Sequence, residues 1–236
     1  MINNFIHLHL HSEYSISDSL IRVKDLINKA SEEEFPAIAV TDLNNIFSLV
    51  KFYKTAIKNG IKPIIGIEVD LKDNENSTIQ SKVVLLCKNM TGFNNLSNLI
   101  TDSYVDLKEG NHFVILKSQL EKRSDGLIAL SGGIYGDLAN VIKSEKYDQI
   151  EESVNYWKKN FPNSFYIEIT RTGKDFEDEY LARALEISQK YKIPLVASND
   201  VRFIHKKDFQ AHEVRVCINN GTYLKDEKRK SEFNEN

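Results

Sequence analysis

The sequence predicts an α/β protein whose strands close into a β/α barrel. Short apolar runs alternate with stretches of helical periodicity over all 236 residues. About seven such units follow one another, which is the signature of parallel strands joined by crossover helices. Polar, chemistry-bearing residues (His9, His11, Asp42, Glu68, Ser131, Thr170, Asp200) recur where the apolar runs end. In a barrel, strand ends converge on one mouth, where function gathers. With this many units a closed ring is favoured over an open doubly wound sheet, and no internal repeat is found.

Residues 6–10 read as a strand. Val23, Leu26, Ile27 and Ala30 then follow i, i+3, i+4, i+7 and predict a helix over 22–34. "PAIAV" at 36–40 is a short buried strand. Ile46, Leu49, Val50, Tyr53 and Ile57 repeat the helical pattern and predict a second helix, which Gly60 stops. "KPIIGIEVDL" at 62–71 and "KVVLLC" at 82–87 are strands, separated by the polar loop 71–81. A helix begins at "TGFNNLSNLI", with Thr91 as its cap. "GLIALSGG" at 126–133 is strand then turn. Ile150, Val154, Trp157 and Phe161 mark a helix, "SFYIEIT" at 164–170 a strand, and Tyr180, Leu181, Ala184, Leu185 and Tyr191 another helix. "PLVASND" at 194–200 is the last strand, and 206–219 is helical.

Composition narrows the function. The chain is 41% hydrophobic and 28% charged, with a net charge of −3. It has no Lys/Arg cluster interleaved with aromatics, so it does not grip nucleic acid unaided. Cys87 and Cys217 have no metal spacing, and Cys87 in "VVLLC" reads as core. A reduced, cytoplasmic compartment fits. "MINNFIHLH" has no basic region followed by an apolar stretch, so no signal peptide is expected. No apolar run approaches the roughly 20 residues of a membrane span. No large exposed apolar patch is visible either.

"HLHLHS" at 7–12 sets three histidines at alternate positions. In an extended strand such positions share a face. That predicts His7, His9 and His11 on one side and Ile6, Leu8 and Leu10 on the other.

"HLHLHSEYSISDS", "PAIAVTDLNNIFSLVKFYKTAIKNGIKPIIGIEV", "LSGGIYGD" and "VASNDVRFIHKKDFQAHEVRV" occur in order. Together they resemble the N-terminal PHP domain of the bacterial replicative DNA polymerase III alpha subunit, over nearly the whole chain. The resemblance implies a distorted seven-stranded β/α barrel, PHP type, in residues 1–222. Residues 223–236 would be an irregular tail leading toward a polymerase core that is not in the chain. It also implies, in metal-bearing relatives, a cluster of divalent ions held by His, Asp and Glu at the mouth. Imidazole and carboxylate suit Zn²⁺, Mn²⁺ and Fe, and such a cluster activates water for phosphoester hydrolysis.

Carried over residue by residue, the resemblance gives a mixed set. The H-x-H pair falls on His9 and His11, and the further acidic ligands on Asp18, Glu68 and Asp200. These five keep ligating chemistry and are remnant metal-site positions. Where metal-bearing relatives read "TDHGN", this chain has Leu43 in place of the histidine. Other histidine positions fall on Lys82, Thr172 and Arg202, and a cysteine position falls on Gly133. His112, His205 and His212 do not obviously replace them; His212 reads as a structural helix residue, and the other two as solvated or hydrogen-bonded.

Magnitude decides how to read this. Losing a partner behind a ligand already costs 10–100-fold in metal affinity, and here about half the ligands themselves are replaced. Two unit charges ~4 Å apart interact by ~4 kcal/mol at an effective dielectric of ~20, roughly doubled for a divalent ion. Lys82 and Arg202 would repel an ion and attract Asp18, Glu68 and Asp200. The expectation is therefore no catalytic residue and no metal cofactor, with room for one weakly held adventitious divalent ion at His9, His11 and Asp200.

The functional expectation is a non-catalytic module. It would support the polymerase core and dock the separate proofreading exonuclease subunit of the same holoenzyme. It would meet DNA only through that holoenzyme, and no membrane. The alternative is a residual metal-dependent phosphoesterase or 3′–5′ exonuclease using His9, His11, Asp18, Glu68 and Asp200. A histidinol-phosphatase-like enzyme, which shares the barrel, ranks last. The nucleotidyl-transfer carboxylates of the alpha subunit lie C-terminal to the barrel, and nothing after Thr222 supplies them. The chain alone is not expected to synthesise DNA, and it reads as an excised domain or a truncated product.

Overall fold

In the computed structural model, which describes residues 5–16, 18–105 and 113–226, the ring can be followed strand by strand. The elements are α1 (Val23–Glu32), β1 (Ala37–Val40), α2 (Leu49–Lys58), β2 (Lys62–Lys72), β3 (Ser81–Cys87) and α3 (Met90–Val105). Then come β4 (Ile115–Leu116), α4 (Lys117–Glu121), β5 (Leu127–Leu130), α5 (Asp137–Lys143) and α6 (Ile150–Asn160). The chain continues through β6 (Phe165–Ile169), α7 (Glu177–Tyr191), β7 (Leu195–Ala197) and α8 (Phe209–Asn220). The sheet runs β1-β2-β3-β5-β6-β7, and β4 pairs beside β2.

Two features depart from an all-parallel ring. β3 runs antiparallel to both neighbours, with Glu68 opposite Val84 and Leu86 opposite Ile128. The polar loop before it is a hairpin connection, because antiparallel neighbours need no crossover helix. The N-terminal segment is also not a regular strand. It closes the ring by irregular pairing: Ala39 N donates to His7 O at 2.9 Å and Thr41 N to Leu10 O at 2.8 Å. On its other edge His11 N donates to Val201 O at 3.0 Å, and Val201 N to His9 O at 3.1 Å.

The chain bends at His9, and the bend breaks the alternation expected of "HLHLHS". Leu8 packs inside the barrel with Ala39, Val84 and Leu130, while Leu10 packs outside with Ile21, Leu26 and Ile38. His9 and His11 point into the mouth. His7 is turned out, edge-on to the rings of Phe5 and Phe35. The prediction of three imidazoles on one face is corrected to two.

The barrel interior has an apolar floor and a polar mouth. Even-numbered residues of β3 (Val84, Leu86) point inward and odd ones (Val83, Leu85) join the outer core, the period of a pleated strand. Outside, Trp157 of α6 stacks on Phe165 with centroids 4.9 Å apart, and its indole N–H reaches the buried Asp137 carboxylate at 2.9 Å. Ser153 and Lys117 close on the same carboxylate, at 2.9 and 3.3 Å.

Other local expectations shift. α2 buries Phe52 and Ala56, while Val50, Tyr53 and Ile57 of the helical pattern are exposed. The cap of α3 is Asn89, whose side chain accepts from Gly92 N at 3.0 Å, and Thr91 lies within the helix. In α7 the buried apolar residues are Tyr180, Ala184 and Ile187, and Leu185 is exposed. β4, α4 and α5 had no clear periodic signal. In "LSGGIYGD" Gly132 and Gly136 are forced by close approach. Gly132 has φ +76°, and a Cβ there would lie 2.2 Å from Lys82 O; one on Gly136 would lie 1.7 Å from Ser131 O. Among the described residues no helix is long and apolar enough to cross a membrane. His112 and the tail from 227 onward lie outside the described residues.

Candidate functional site

The polar mouth gathers the five residues expected there. His9 and His11 come from the closing segment, Glu68 from β2, Asp200 from the loop after β7 and Asp18 from the loop after the histidines. Glu68 is central and 1% exposed. His9 Nε2 faces its Oε1 at 3.2 Å and His11 Nε2 its Oε2 at 3.3 Å. Neither approach has the alignment of a hydrogen bond. The second nitrogen of each ring is held from behind: His9 Nδ1 is 2.9 Å from Glu168 Oε1, and His11 Nδ1 is 3.2 Å from Asp18. Asp200 adopts φ +49°, which an aspartate tolerates, and its Oδ1 lies 3.5 Å from His9 Nε2.

Three cations sit among these carboxylates. Lys82 Nζ is 2.7 Å from Glu68 Oε2. Arg202, 5% exposed, places Nη2 2.6 Å from Asp200 and 3.8 Å from Glu68, and Nη1 3.3 Å from Asp18. Lys174 Nζ is 3.3 Å from the other Asp200 oxygen. The loop that carries Asp18 is tied down by Ser19, whose hydroxyl contacts His11 O at 2.6 Å and Arg202 O at 3.0 Å.

The other positions where the resemblance led one to expect ligands make different contacts. Leu43 pairs through its backbone with Glu68. Thr172 donates from its N–H and its hydroxyl to Glu177, both at 2.7 Å. Gly133, with φ +54° and open space where a Cβ would stand, lines a cavity of only about 10 Å³ beside His9, Glu168 and Asp200. His205 is exposed and His212 is buried, its Nε2–H donating to Asp18 O at 2.8 Å. Asp42 is a staple: its carboxylate accepts from Ser12 N and Oγ and from Ser15 Oγ, at 2.7 to 2.9 Å.

Electrostatics follow from this crowding. Burial disfavours charge on His9, but the Glu168 and Asp200 carboxylates outweigh it and push the imidazole up to about 10. Burial would raise Glu68, yet Lys82 and His9 hold it down to about 2. Asp18 is pushed up to about 8 by burial and by Glu68, against the pull of Lys82. Burial lowers Arg202 to about 9, which leaves it cationic at neutral pH. Lys82 is raised: burial opposes its charge but Glu68 dominates. Glu68 and Asp200 are thus faced by Lys82, Lys174 and Arg202, with His9 shifted toward its cationic form.

Glu168 and Lys174 were missed in the sequence. Glu168 had a signal, since it lies two residues from Tyr166 on the same face of β6 and so faces inward. Its Oε1 also accepts from Ser198 Oγ. Lys174, in the loop "TRTGK", had none.

A family model described as the PHP domain matches residues 7–172. The chain belongs to the PHP domain family. The PHP chain is 39% identical over 229 residues to the DNA polymerase III subunit alpha of Vibrio cholerae, which covers 97% of the chain and 20% of that relative. It is 37% identical over 225 residues to the same subunit of Escherichia coli K12, covering 95% of the chain and 19% of the relative. It therefore spans about a fifth of the length of these relatives. Among solved structures it resembles an amidohydrolase from Chromobacterium violaceum with bound sulfate and no metal, at TM-score 0.54 and 11% identity, covering 89% of this chain and 96% of that one. A two-domain Bacteroides vulgatus protein containing a predicted PHP-like metal-dependent phosphoesterase gives TM-score 0.52 at 12% identity, covering 84% of this chain and 52% of that one. These likenesses establish the barrel fold.

Proposed function

We propose that this PHP domain is a non-hydrolytic module of a DNA polymerase III alpha subunit, with side-chain cations standing where metal-bearing relatives hold divalent ions. It supports the polymerase core, and it docks the proofreading exonuclease, a role carried by the sequence resemblance alone. One observation carries the loss of hydrolysis: Arg202 is wedged between Asp200 at 2.6 Å and Asp18 at 3.3 Å. An ion cluster needs both carboxylates, and a buried guanidinium between them repels it.

Three further features support this. Lys82 occupies one oxygen of Glu68. A metal requires neutral imidazole, and the Glu168 and Asp200 carboxylates raise the affinity of His9 for a competing proton. The cavity beside His9, Glu168 and Asp200, about 10 Å³, is about that of a single water. The donors do not fit a multi-ion cluster.

A second reading rests on a specific geometry. One ligand atom each from His9, His11 and Glu68 lie within 4.8 Å of one another, a spacing that fits one ion and a reduced phosphoesterase. Elemental analysis after purification without chelator, together with hydrolysis of a model phosphodiester in added Mn²⁺, separates the two. The plugged site is expected to hold far less than one ion per chain and to give no metal-dependent turnover. Near-stoichiometric metal, with turnover abolished by His9→Ala, would overturn it.

A further inference from the structure

We infer that the outer face of α2 is a docking surface for an amphipathic α-helix with an acidic flank. Three residues of the helical pattern stand in solvent, with Val50 62% exposed, Tyr53 49% and Ile57 54%, and Phe47 just before the helix is 63% exposed. Single exposed apolar residues are ordinary, but a continuous row of large ones marks an interaction site. The inner face of the same helix is already satisfied by Phe52 and Ala56, so the outer row is a second, unpartnered stripe.

Its spacing and charge define the occupant. Val50, Tyr53 and Ile57 are three and then four residues apart, the spacing by which two helices interlock along a seam. Lys51, Lys54 and Lys58 repeat the same spacing one residue on, which sets a basic stripe about 100° round the helix, alongside the apolar one. α2 contains no acidic residue. Lys51 is held by Glu13 at 2.9 Å, while Lys54 and Lys58 make no ion pair among the described residues. A helix that lays apolar side chains on the seam and carboxylates against these lysines matches both stripes.

Leu43 N donates to Ser15 Oγ at 3.0 Å and Asn45 Nδ2 to Tyr14 O at 3.0 Å, which ties the loop before α2 to the loop bearing Ile16. Ile16 is 67% exposed and held at φ +58°, a conformation that a β-branched residue adopts only under constraint. Arg215 supplies the constraint by gripping Ile16 O from Nε at 2.7 Å. The inference is independent of whether the mouth binds metal.

The test uses the full chain and two synthetic helical peptides with one apolar seam, flanked in one by Glu and in the other by Lys. Fluorescence anisotropy is expected to show binding of the Glu peptide, at least about tenfold weaker, or 1.4 kcal/mol, for Ile57→Asp and Val50→Asp. Lys54→Glu with Lys58→Glu should reverse the preference between the peptides. Unchanged urea midpoints keep these exposed substitutions interpretable, and the charge reversal keeps its meaning even if Ile57→Asp were to loosen the helix. Equal binding of the two peptides, or binding indifferent to these substitutions, overturns the inference. So does dimerisation in sedimentation, or binding to anionic vesicles, if Ile57→Asp abolishes it, because the face then serves a second copy or a lipid surface.

Discussion

Lys82 Nζ lies 2.7 Å from Glu68 Oε2, and Glu68 is the same carboxylate that both His9 and His11 face. One buried anion is thereby held by a fixed cation and two imidazoles at once. Glu68 carries almost no exposed surface, so removing its cation leaves charge where water cannot reach. Breaking such a pair typically costs about 3–5 kcal/mol. Lys82→Met is expected at the lower end of that range, because Arg202 and His9 still face Glu68. Adding Glu68→Gln should recover part of the loss. Urea denaturation of the two single variants and the double variant checks the coupling, and strict additivity would count against it.

Gly136 tests how the barrel turns beneath the mouth. A Cβ there would lie 1.7 Å from Ser131 O, which is backbone and cannot swing away. Overpacking of this kind costs about 1–3 kcal/mol, and with no side chain to yield the upper end is expected. Gly136→Ala should lower the denaturation midpoint, whereas Gly133→Ala, with open space at its Cβ, should cost only the strain of its φ +54°.

These two sites show what could be read from the residues beforehand. The convergence of His9, His11, Glu68 and Asp200 followed from strand ends in a ring, and the cations from the residue types at 82 and 202. What failed was phase. Alternation in "HLHLHS" assumed a straight strand, but the chain bends at His9 to bridge β1 and Val201, which sends His7 outward. In α2 apolar residues occupy two faces, so periodicity alone could not tell the core face from the solvent face. β3 reversed direction because its polar loop made a hairpin and not a crossover. Lys174 was illegible because a lysine in a polar loop carries no sign of what it will meet.

The mouth also sets a pH dependence. In the unfolded chain His9 gives up its proton near 6.5, but in the folded chain it holds it to about 10. Between these values the folded state binds more protons, so stability falls as pH rises. Asp18, raised from 3.8 to about 8, adds a loss in the same direction at lower pH. Glu68, lowered from 4.5 to about 2, acts oppositely, and its contribution disappears as pH falls through that window. Denaturation at pH 6 and pH 9 should show a clear loss on the alkaline side. His9→Gln, which cannot titrate, should narrow that difference, and an unchanged difference would mean that His9 is neutral in the folded state.

Restoring ligands is the sharpest test of the plugged mouth. Lys82→His and Arg202→His remove two repelling charges and return two imidazoles, and Leu43→His returns a third beside Glu68, with which Leu43 already pairs. Asp18 and Asp200, freed from Arg202, become available as oxygen donors. Disturbing a residue behind a ligand shifts metal affinity by 10–100-fold, so three replaced ligands and two deleted cations should together tighten Mn²⁺ or Zn²⁺ binding by more than about 100-fold. Calorimetric titration against the unaltered chain measures this, and a rise in melting temperature with added metal reports it independently through linkage. The two single-cation variants should each move affinity partway. If the triple variant folds, as judged by its far-UV spectrum, yet binds metal no better than the parent, then electrostatic replacement is not why this barrel differs from its metal-bearing relatives.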